Sequence, residues 1–250
     1  MTKTLDTLIE DIYSVLSTSK VDPDVDVDKI FDLFGTNVKE AVFKSLFEER
    51  GDTTRLRMSS VGKPDRQVWL NSKNYPREEL EPSTLIKFLY GHVIEELVLL
   101  LVRLGGHTVA NEQGKVEING VKGSMDCTID GKLIDVKSAS SFAFKKFKDN
   151  TVEFDDPFGY VAQLKGYGAG LGVKEGGWLA MDKGNGHLAL AMIDLTDGKS
   201  GNMKLSTQCS YCPYKHTCYP ELRTFLYSTG PKFLTEVWSV PRVIEITENK

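Results

Sequence analysis

Asp126, Asp135 and Lys137 fall within a segment, residues 123–138, that reads as a β-hairpin and puts two carboxylates and an ammonium on one of its faces. Asp130 and Gly131 suit the two central positions of a type I′ turn, where both residues need positive φ, and residues alternate on either side. With a two-residue loop, Ile129 opposes Lys132, Thr128 opposes Leu133, Cys127 opposes Ile134 and Asp126 opposes Asp135. Lys137, two residues beyond Asp135, shares that face; Cys127 points to the other, which is expected to be core. Directly opposed residues have Cβ atoms about 4.5 to 5.5 Å apart, and like charges there are destabilising unless something positive lies between them. A hard divalent cation resolves that conflict. Carboxylates sharing such an ion beside a lysine are equipped for phosphodiester hydrolysis. The bland alternative is a solvated strand face that carries two acids by chance.

A third acid comes from an upstream helix. Residues 83–105 have helical spacing: Ser83 can cap them, Leu85, Phe88, Leu89, Leu99 and Val102 recur on one side, and Gly105 and Gly106 end the run. Glu95 falls on that apolar stripe, one turn after Gly91 and one turn before Val98 and Leu99, so it faces packed protein and needs a partner or a metal. Glu96 is the competitor; it shares a side with His92 and Leu100 but lines up with Arg103, which can neutralise it. The stripe favours Glu95. Downstream, residues 158–171 look helical, with Gln163 and Tyr167 four apart on one side.

In this order, Gly91, Glu95, Asp126, Asp135, Lys137, Gln163 and Tyr167 resemble the PD-(D/E)XK nuclease superfamily, in particular its RecB-like and phage exonuclease branches. The resemblance spans roughly residues 55–220, and the segment from Asp155 to Leu164 is similar to phage members. It implies that Glu95, Asp126, Asp135 and the carbonyl of Val136 hold one or two Mg²⁺ or Mn²⁺ ions, that Lys137 is the catalytic lysine, and that Gln163 and Tyr167 form the helical motif near the scissile strand. Close to the ions, the Lys137 ammonium is expected to be disfavoured and to titrate lower than a free lysine.

Three of the four cysteines, Cys209, Cys212 and Cys218, lie within ten residues. The polar residues 1–20 contain no secretory core, so a cytoplasmic, reducing compartment is expected, the host cytoplasm if the chain is phage-encoded. Clustered thiols there favour a metal over a disulfide, with buried unliganded cysteines as the bland alternative. The spacing resembles the C-terminal iron-sulfur clamp of AddB nucleases and CRISPR-associated RecB-like exonucleases, whose fourth cysteine lies far upstream. Here Asp65 stands where that cysteine is expected, and Cys127 is a poor substitute. The expectations are a [4Fe-4S] cluster with Asp65 or another non-cysteine ligand, Zn²⁺ held with His216, or a degenerate clamp. The cluster is preferred by resemblance.

The net charge of −4 argues against a generic nucleic-acid binder, but residues 1–50 hold 6 basic and 11 acidic side chains, which leaves the remainder at +1. Arg55, Arg57, Lys63, Arg66 and Lys73 surround one acid, and residues 142–148 interleave Phe142, Phe144 and Phe147 with lysines. Basic groups can track phosphates and aromatics can stack on unpaired bases; an amphipathic helix with a solvated edge is the plain alternative. Leu5, Leu8, Ile9, Ile12 and Leu16 make a helical stripe, and residues 30–34 and 38–47 continue as helix. The Asp22, Asp24, Asp26, Asp28 series is no EF-hand, since Val27 and Leu33 occupy the glycine and glutamate positions; Asp26 or Asp28 caps the next helix instead.

Strands expected at residues 115–119, 121–129, 132–137, 177–181 and 188–193 around the Gln163 helix give an α/β fold, a mixed central sheet flanked by helices, of the restriction-endonuclease-like kind that the resemblance implies. The expected division is a helical appendage at 1–50, a nuclease core with the cysteine cluster at 51–225 and a tail at 226–250. The resulting expectation is a metal-dependent exonuclease acting on single-stranded or duplex DNA ends in recombination, replication or DNA breakdown. A recombination or replication partner and a homo-oligomer are further expectations, and no apolar run reaches membrane-spanning length. The alternatives are a silent DNA-binding module, a zinc-stabilised interaction subunit, or an endonuclease of the same fold.

Overall fold

A computed structural model describes residues 3–48, 54–63, 65–75, 80–156, 158–196, 203–205, 215, 219–228, 230–237 and 239–246. Asp130 and Gly131 take φ values of 47° and 77°, the left-handed pair that a type I′ turn requires. The strands they join, Cys127–Ile129 and Lys132–Ala139, pair in the register that this turn dictates, with Cys127 opposite Ile134 and Ile129 opposite Lys132.

In chain order the elements are helices α1 (Leu8–Thr18), α2 (Val27–Phe47), α3 (Asp65–Ser72) and α4 (Pro82–Leu104), then strands β1 (Val109–Ala110), β2 (Lys115–Ile118), β3 (Val121–Ser124), β4 (Cys127–Ile129) and β5 (Lys132–Ala139). Helices α5 (Ser141–Lys148) and α6 (Tyr160–Leu171) follow, then β6 (Glu175–Asp182), β7 (Leu188–Asp194), β8 (Met203–Lys204), β9 (Arg223–Tyr227), β10 (Gly230–Glu236) and β11 (Ile244–Ile246). The central sheet has the order β1-β4-β5-β6-β7. Only β5 and β6, joined through α5 and α6, run parallel; the other pairs are antiparallel. This is the mixed α/β architecture read from the sequence.

The alternation of β5 explains its two faces. Ile134 and Val136 point toward α1 and α4, into a core with Leu8, Ile12, Val98, Leu99, Val102, Cys127 and Leu179. Leu133 and Ala139 point the other way, into a core with Phe144, Phe147, Leu164, Tyr167 and Trp178 from α5, α6 and β6. Asp135 and Lys137 share the parity of Leu133 and Ala139, so they sit on the α5/α6 face. Cys127 is fully buried among apolar side chains, and burial pushes its thiol pKa up.

Several local details differ from the sequence expectations. Helix α4 begins with Pro82 at its first position after Glu81, without a side-chain cap, so Ser83 lies inside the first turn. Only the second half of its apolar stripe is covered: Leu99 and Val102 are buried, while Leu85 and Phe88 are exposed. The run at 121–129 is two strands, because Met125 and Asp126 turn their backbone to the 113–114 loop through Met125 N–H to Gly114 O and Gln113 N–H to Asp126 O. Strands β2 and β3 form a sheet of their own. Residues 142–148 are an amphipathic helix with Phe144 and Phe147 in the core and Phe142 exposed.

The expected divisions also meet the structure unevenly. Asp26 caps α2, its Oδ1 accepting the Lys29 N–H at 3.1 Å, but α1 is built into the core through Leu8 and Ile12. The boundary at residue 225 falls within β9, which is the middle of a sheet ordered β11-β9-β10-β8. Among the described residues, no helix is long and apolar enough to cross a membrane.

Candidate active site

The β4–β5 hairpin brings Asp126 and Asp135 to neighbouring positions, and a backbone bond fixes one of them. Asp126 Oδ2 accepts the Val136 N–H at 2.9 Å; Val136 itself pairs with Leu179 of β6. Asp135 is 4% exposed. Lys137 Nζ lies 2.5 Å from Asp135 Oδ2. At that distance the two form an ion pair, and apart from the ammonium Oδ2 has no polar partner among the described residues. The same ammonium sits 4.9 Å from the centroid of the Tyr160 ring.

Glu95 enters from α4, which packs on β5; the approach does not require the glycine one turn earlier, since a Cβ on Gly91 would lie 3.8 Å from Ser138 Oγ, an ordinary contact. Glu95 Oε1 accepts Gln113 Nε2 at 3.1 Å. Glu96 turns to a different group: its Oε2 accepts Asn37 Nδ2 of α2 at 3.0 Å. Arg103 pairs closely with Glu112. A cleft of about 630 Å³ between α2 and α4 gives access to Glu95 and Asp126, with Asn37, Lys44, His92 and Gln113 on its walls.

The titration behaviour ties the three carboxylates together. Burial first, then the charges of Glu96 and Asp135, push the Glu95 carboxyl up to about 7. Burial also raises Asp126, with Asp135 and Glu95 adding to it. Glu96 is raised as well, chiefly by burial and against the Asn37 hydrogen bond. For Lys137, burial alone would lower the pKa, but Asp135 and Asp126 outweigh it and hold the ammonium above the ordinary lysine range. Without a metal the sign is therefore opposite to that expected beside one, because the nearest charges are carboxylates.

Helix α6 completes the wall. Gln163 Nε2 donates to the Tyr167 hydroxyl at 3.2 Å, and burial raises the Tyr167 pKa, with Asp135 and Asp126 as further contributors. Tyr167 can approach so closely because Gly123 has no side chain: a Cβ there would lie 2.8 Å from Tyr167 Cε1 and 2.5 Å from Met58 Cβ. Asp156 holds the start of α6, its Oδ1 accepting the Tyr160 N–H at 2.9 Å and its Oδ2 the Val161 N–H at 2.8 Å.

The donor set suits a hard divalent cation in kind: carboxylate oxygens from α4, from β5 and from the residue before β4, one of them a buried Oδ2 whose polar contact is the Lys137 ammonium. As they stand, no three His, Cys, Asp or Glu side chains among the described residues are drawn together closely enough to enclose an ion. Cys209, Cys212, His216 and Cys218 lie outside the described residues, as does the side chain of Asp65. Sequence reasoning missed Gln113, Asn37 and Tyr160; Gln113 has no local signature, since its partners come from α4 and the start of β4.

No family model matches the chain, and no curated protein matches it. Among solved structures, an alkaline exonuclease, LHK-Exo from Laribacter hongkongensis, is similar at a TM-score of 0.43 and 16% identity, over 57% of this chain and 78% of that one. The protein SSO0001 is similar at a TM-score of 0.38 and 16% identity, over 74% of this chain and 96% of that one. Both scores are too low to assign a fold family or an activity to this chain.

Proposed function

We propose that the chain is a divalent-metal-dependent deoxyribonuclease of the PD-(D/E)XK class that hydrolyses phosphodiester bonds from DNA ends. The supporting observation is the convergence of Glu95 from α4 and of Asp126 and Asp135 from the hairpin on a single lysine, with the charge of Asp135 raising both Glu95 and Asp126. Packing alone gives no reason to bury like charges together, whereas a metal site does. Glu95, Asp126, Asp135 and the Val136 carbonyl would hold one or two Mg²⁺ or Mn²⁺ ions, which supply charge neutralisation at the phosphate and activation of the attacking water.

The chain's own residues then have distinct tasks. The Val136 N–H aims the Asp126 carboxylate, and Gln113 aims Glu95. Lys137, kept as an ammonium by its neighbours, donates to a phosphate or water oxygen and does not take a proton. Gln163, half-buried, faces the strand being cut, and the buried Tyr167 hydroxyl orients it by accepting its Nε2 hydrogen bond. Action on ends, in phage-type recombination, replication or DNA degradation within a cell's cytoplasm, rests on the branch that the sequence resembles. By resemblance to the iron-sulfur clamp, Cys209, Cys212 and Cys218 are assigned to a [4Fe-4S] cluster with Asp65 or another non-cysteine ligand, in preference to zinc with His216; iron, sulfide and zinc analysis of the purified protein decides between them.

The test is incubation with Mg²⁺ or Mn²⁺ and end-labelled linear DNA, single- and double-stranded, beside covalently closed circles and the Asp135→Ala and Lys137→Ala variants. Loss of linear DNA from a defined end, abolished in both variants, is expected. Cutting of circles would convert the reading to an endonuclease, and no cleavage with either metal would favour a silent DNA-binding module.

A further inference from the structure

Phe158 is 60% exposed, yet its backbone is tied to a buried acid. Its own N–H and those of Tyr160 and Val161 all reach the buried Asp156 carboxylate, at 3.3, 2.9 and 2.8 Å. Between the two aromatic residues, Gly159 adopts φ +76° and touches Gly62 so closely that a Cβ on Gly159 would lie 2.6 Å from the Gly62 carbonyl carbon. The Phe158 ring stacks on Tyr160 at a centroid distance of 5.4 Å and an interplanar angle of 28°. That same Tyr160 ring carries the Lys137 ammonium. Tyr160 packs against the core beside Phe147, but the exposed Phe158 ring, one contact from the candidate catalytic lysine, fills no core position.

Beside the pair is a cavity of about 200 Å³ whose walls include Lys137, Lys146, Phe147, Phe158, Tyr160 and Lys183. It is smaller than the roughly 300 to 1,000 Å³ of sites that enclose drug-sized ligands, which limits it to about one planar ring system. Its lining is aromatic on one side and carries three ammonium groups and two carboxylates; Asp155 is engaged by Lys146, Asp156 by the backbone N–H groups of α6, and Lys183 is exposed. Aromatic faces that take a base and cations that take its phosphate are the two elements of single-strand recognition.

We propose that Phe158 and Tyr160 form a stacking subsite for one unpaired base of the DNA strand whose phosphodiester lies at Lys137, so that the cavity positions the nucleotide at the strand end. The proposal rests on the nuclease reading above and adds its substrate: a frayed or single-stranded end carrying a base, as opposed to a fully paired one. Phe158 is the discriminating residue, because it is exposed and its removal disturbs little packing.

The experiment uses the full chain with Ca²⁺ in place of Mg²⁺ and single-stranded oligonucleotides that carry 2-aminopurine at the 5′ end, at the 3′ end or internally. Fluorescence reads stacking, and anisotropy reads binding. One terminal probe is expected to be quenched several-fold by the wild type and not by Phe158→Ala, with Kd raised about tenfold, equivalent to about 1.4 kcal/mol and within the range of base–aromatic stacking. Phe158→Trp should restore both readouts. Binding by the wild type without quenching at either end, or equal quenching by Phe158→Ala, would overturn the subsite. Hydrolysis of the same oligonucleotides in Mg²⁺ or Mn²⁺ is scored separately, so a failed nuclease reading appears as quenching without cleavage. Absence of DNA binding would sink both.

Discussion

Gln113 donates its side-chain Nε2 to Glu95 Oε1 at 3.1 Å while its backbone N–H donates to the Asp126 carbonyl at 2.8 Å, so one loop residue sets the spacing of two carboxylates. It does so from φ +51°, a conformation that L side chains adopt at a cost. Side chain and backbone can therefore be separated by substitution. Gln113→Gly suits the positive φ and should leave thermal stability unchanged or slightly raised, yet lower kcat/KM about tenfold, by release of Glu95. Gln113→Asn tolerates the same φ but falls short of Glu95, and should lose activity to a similar degree. Full activity in the glycine variant would show that the amide does not position Glu95.

Glu95 holds its proton up to about 7 in the folded chain against an ordinary 4.5, because burial and then the charges of Glu96 and Asp135 disfavour the carboxylate. Asp126 is raised in the same sense. The folded state thus binds more protons than the unfolded state across that interval, and the stability of the metal-free protein falls as pH rises from about 4.5 to 7. Glu95→Gln should flatten this part of the profile and stabilise the metal-free protein above pH 7 by on the order of 2 kcal/mol, since each tenfold difference in proton affinity between folded and unfolded chain is worth about 1.4 kcal/mol. Mg²⁺ or Mn²⁺, binding the deprotonated form, should raise Tm more at pH 8 than at pH 5. Denaturant titrations across pH, with and without metal, read both effects; a pH-independent response to metal would count against Glu95 and Asp126 as ligands.

The hairpin was legible in the sequence because its determinants are local: Asp130 and Gly131 carry the turn in adjacent residues, and a period of two then assigns each face. The spans of α4 and α6 were legible for the same reason, whereas α3 was not. What was not legible depends on distance along the chain. His107 finds its partners 23 and 96 residues away, and Gln113 reaches Glu95 across a loop. The split of the 121–129 run follows from the bonds that Met125 and Asp126 make to the 113–114 loop, contacts that no periodicity encodes. Ser83 has the residue type of a cap, but Pro82 pre-sets the first helical φ and moves the start one residue earlier.

Asp135 and Lys137 form a pair whose members depend on each other unequally. Asp135 is nearly inaccessible, whereas the Lys137 side chain keeps 21% of its surface. Lys137→Met leaves a buried carboxylate without its counter-charge and should destabilise the metal-free fold by about 3 kcal/mol. Asp135→Asn removes the burdened charge and should cost less. In the double variant the penalty of the lysine substitution should largely vanish, which is the coupling a double-mutant cycle isolates. All three variants should lose DNA hydrolysis. Additive stability changes would indicate that the ion pair is incidental, and hydrolysis surviving Asp135→Asn would remove it from the machinery.

His107 lies at the foot of the hairpin, fully enclosed, with Nδ1 2.7 Å from Asp130 Oδ2 and Nε2 3.2 Å from Asp11 Oδ2 of α1. Asp130 also accepts the Thr108 N–H through Oδ1 at 3.0 Å, so the turn that sets the Asp126 and Asp135 register is anchored to both the end of α4 and the N-terminal helix. His107→Phe keeps an aromatic ring, slightly larger, and strands the Asp130 Oδ2 acceptor, since Asp11 Oδ2 still accepts the Thr7 hydroxyl, at a cost of about 1 to 3 kcal/mol. Because Leu8 and Ile12 still bind α1 through the core, the variant should fold, and its hydrolytic activity per folded molecule should stay within a few-fold of wild type. Denaturant melts with an activity titration would check the pair of outcomes; a loss of activity beyond the loss of folded protein would mean that the clamp also tunes the register of the carboxylates.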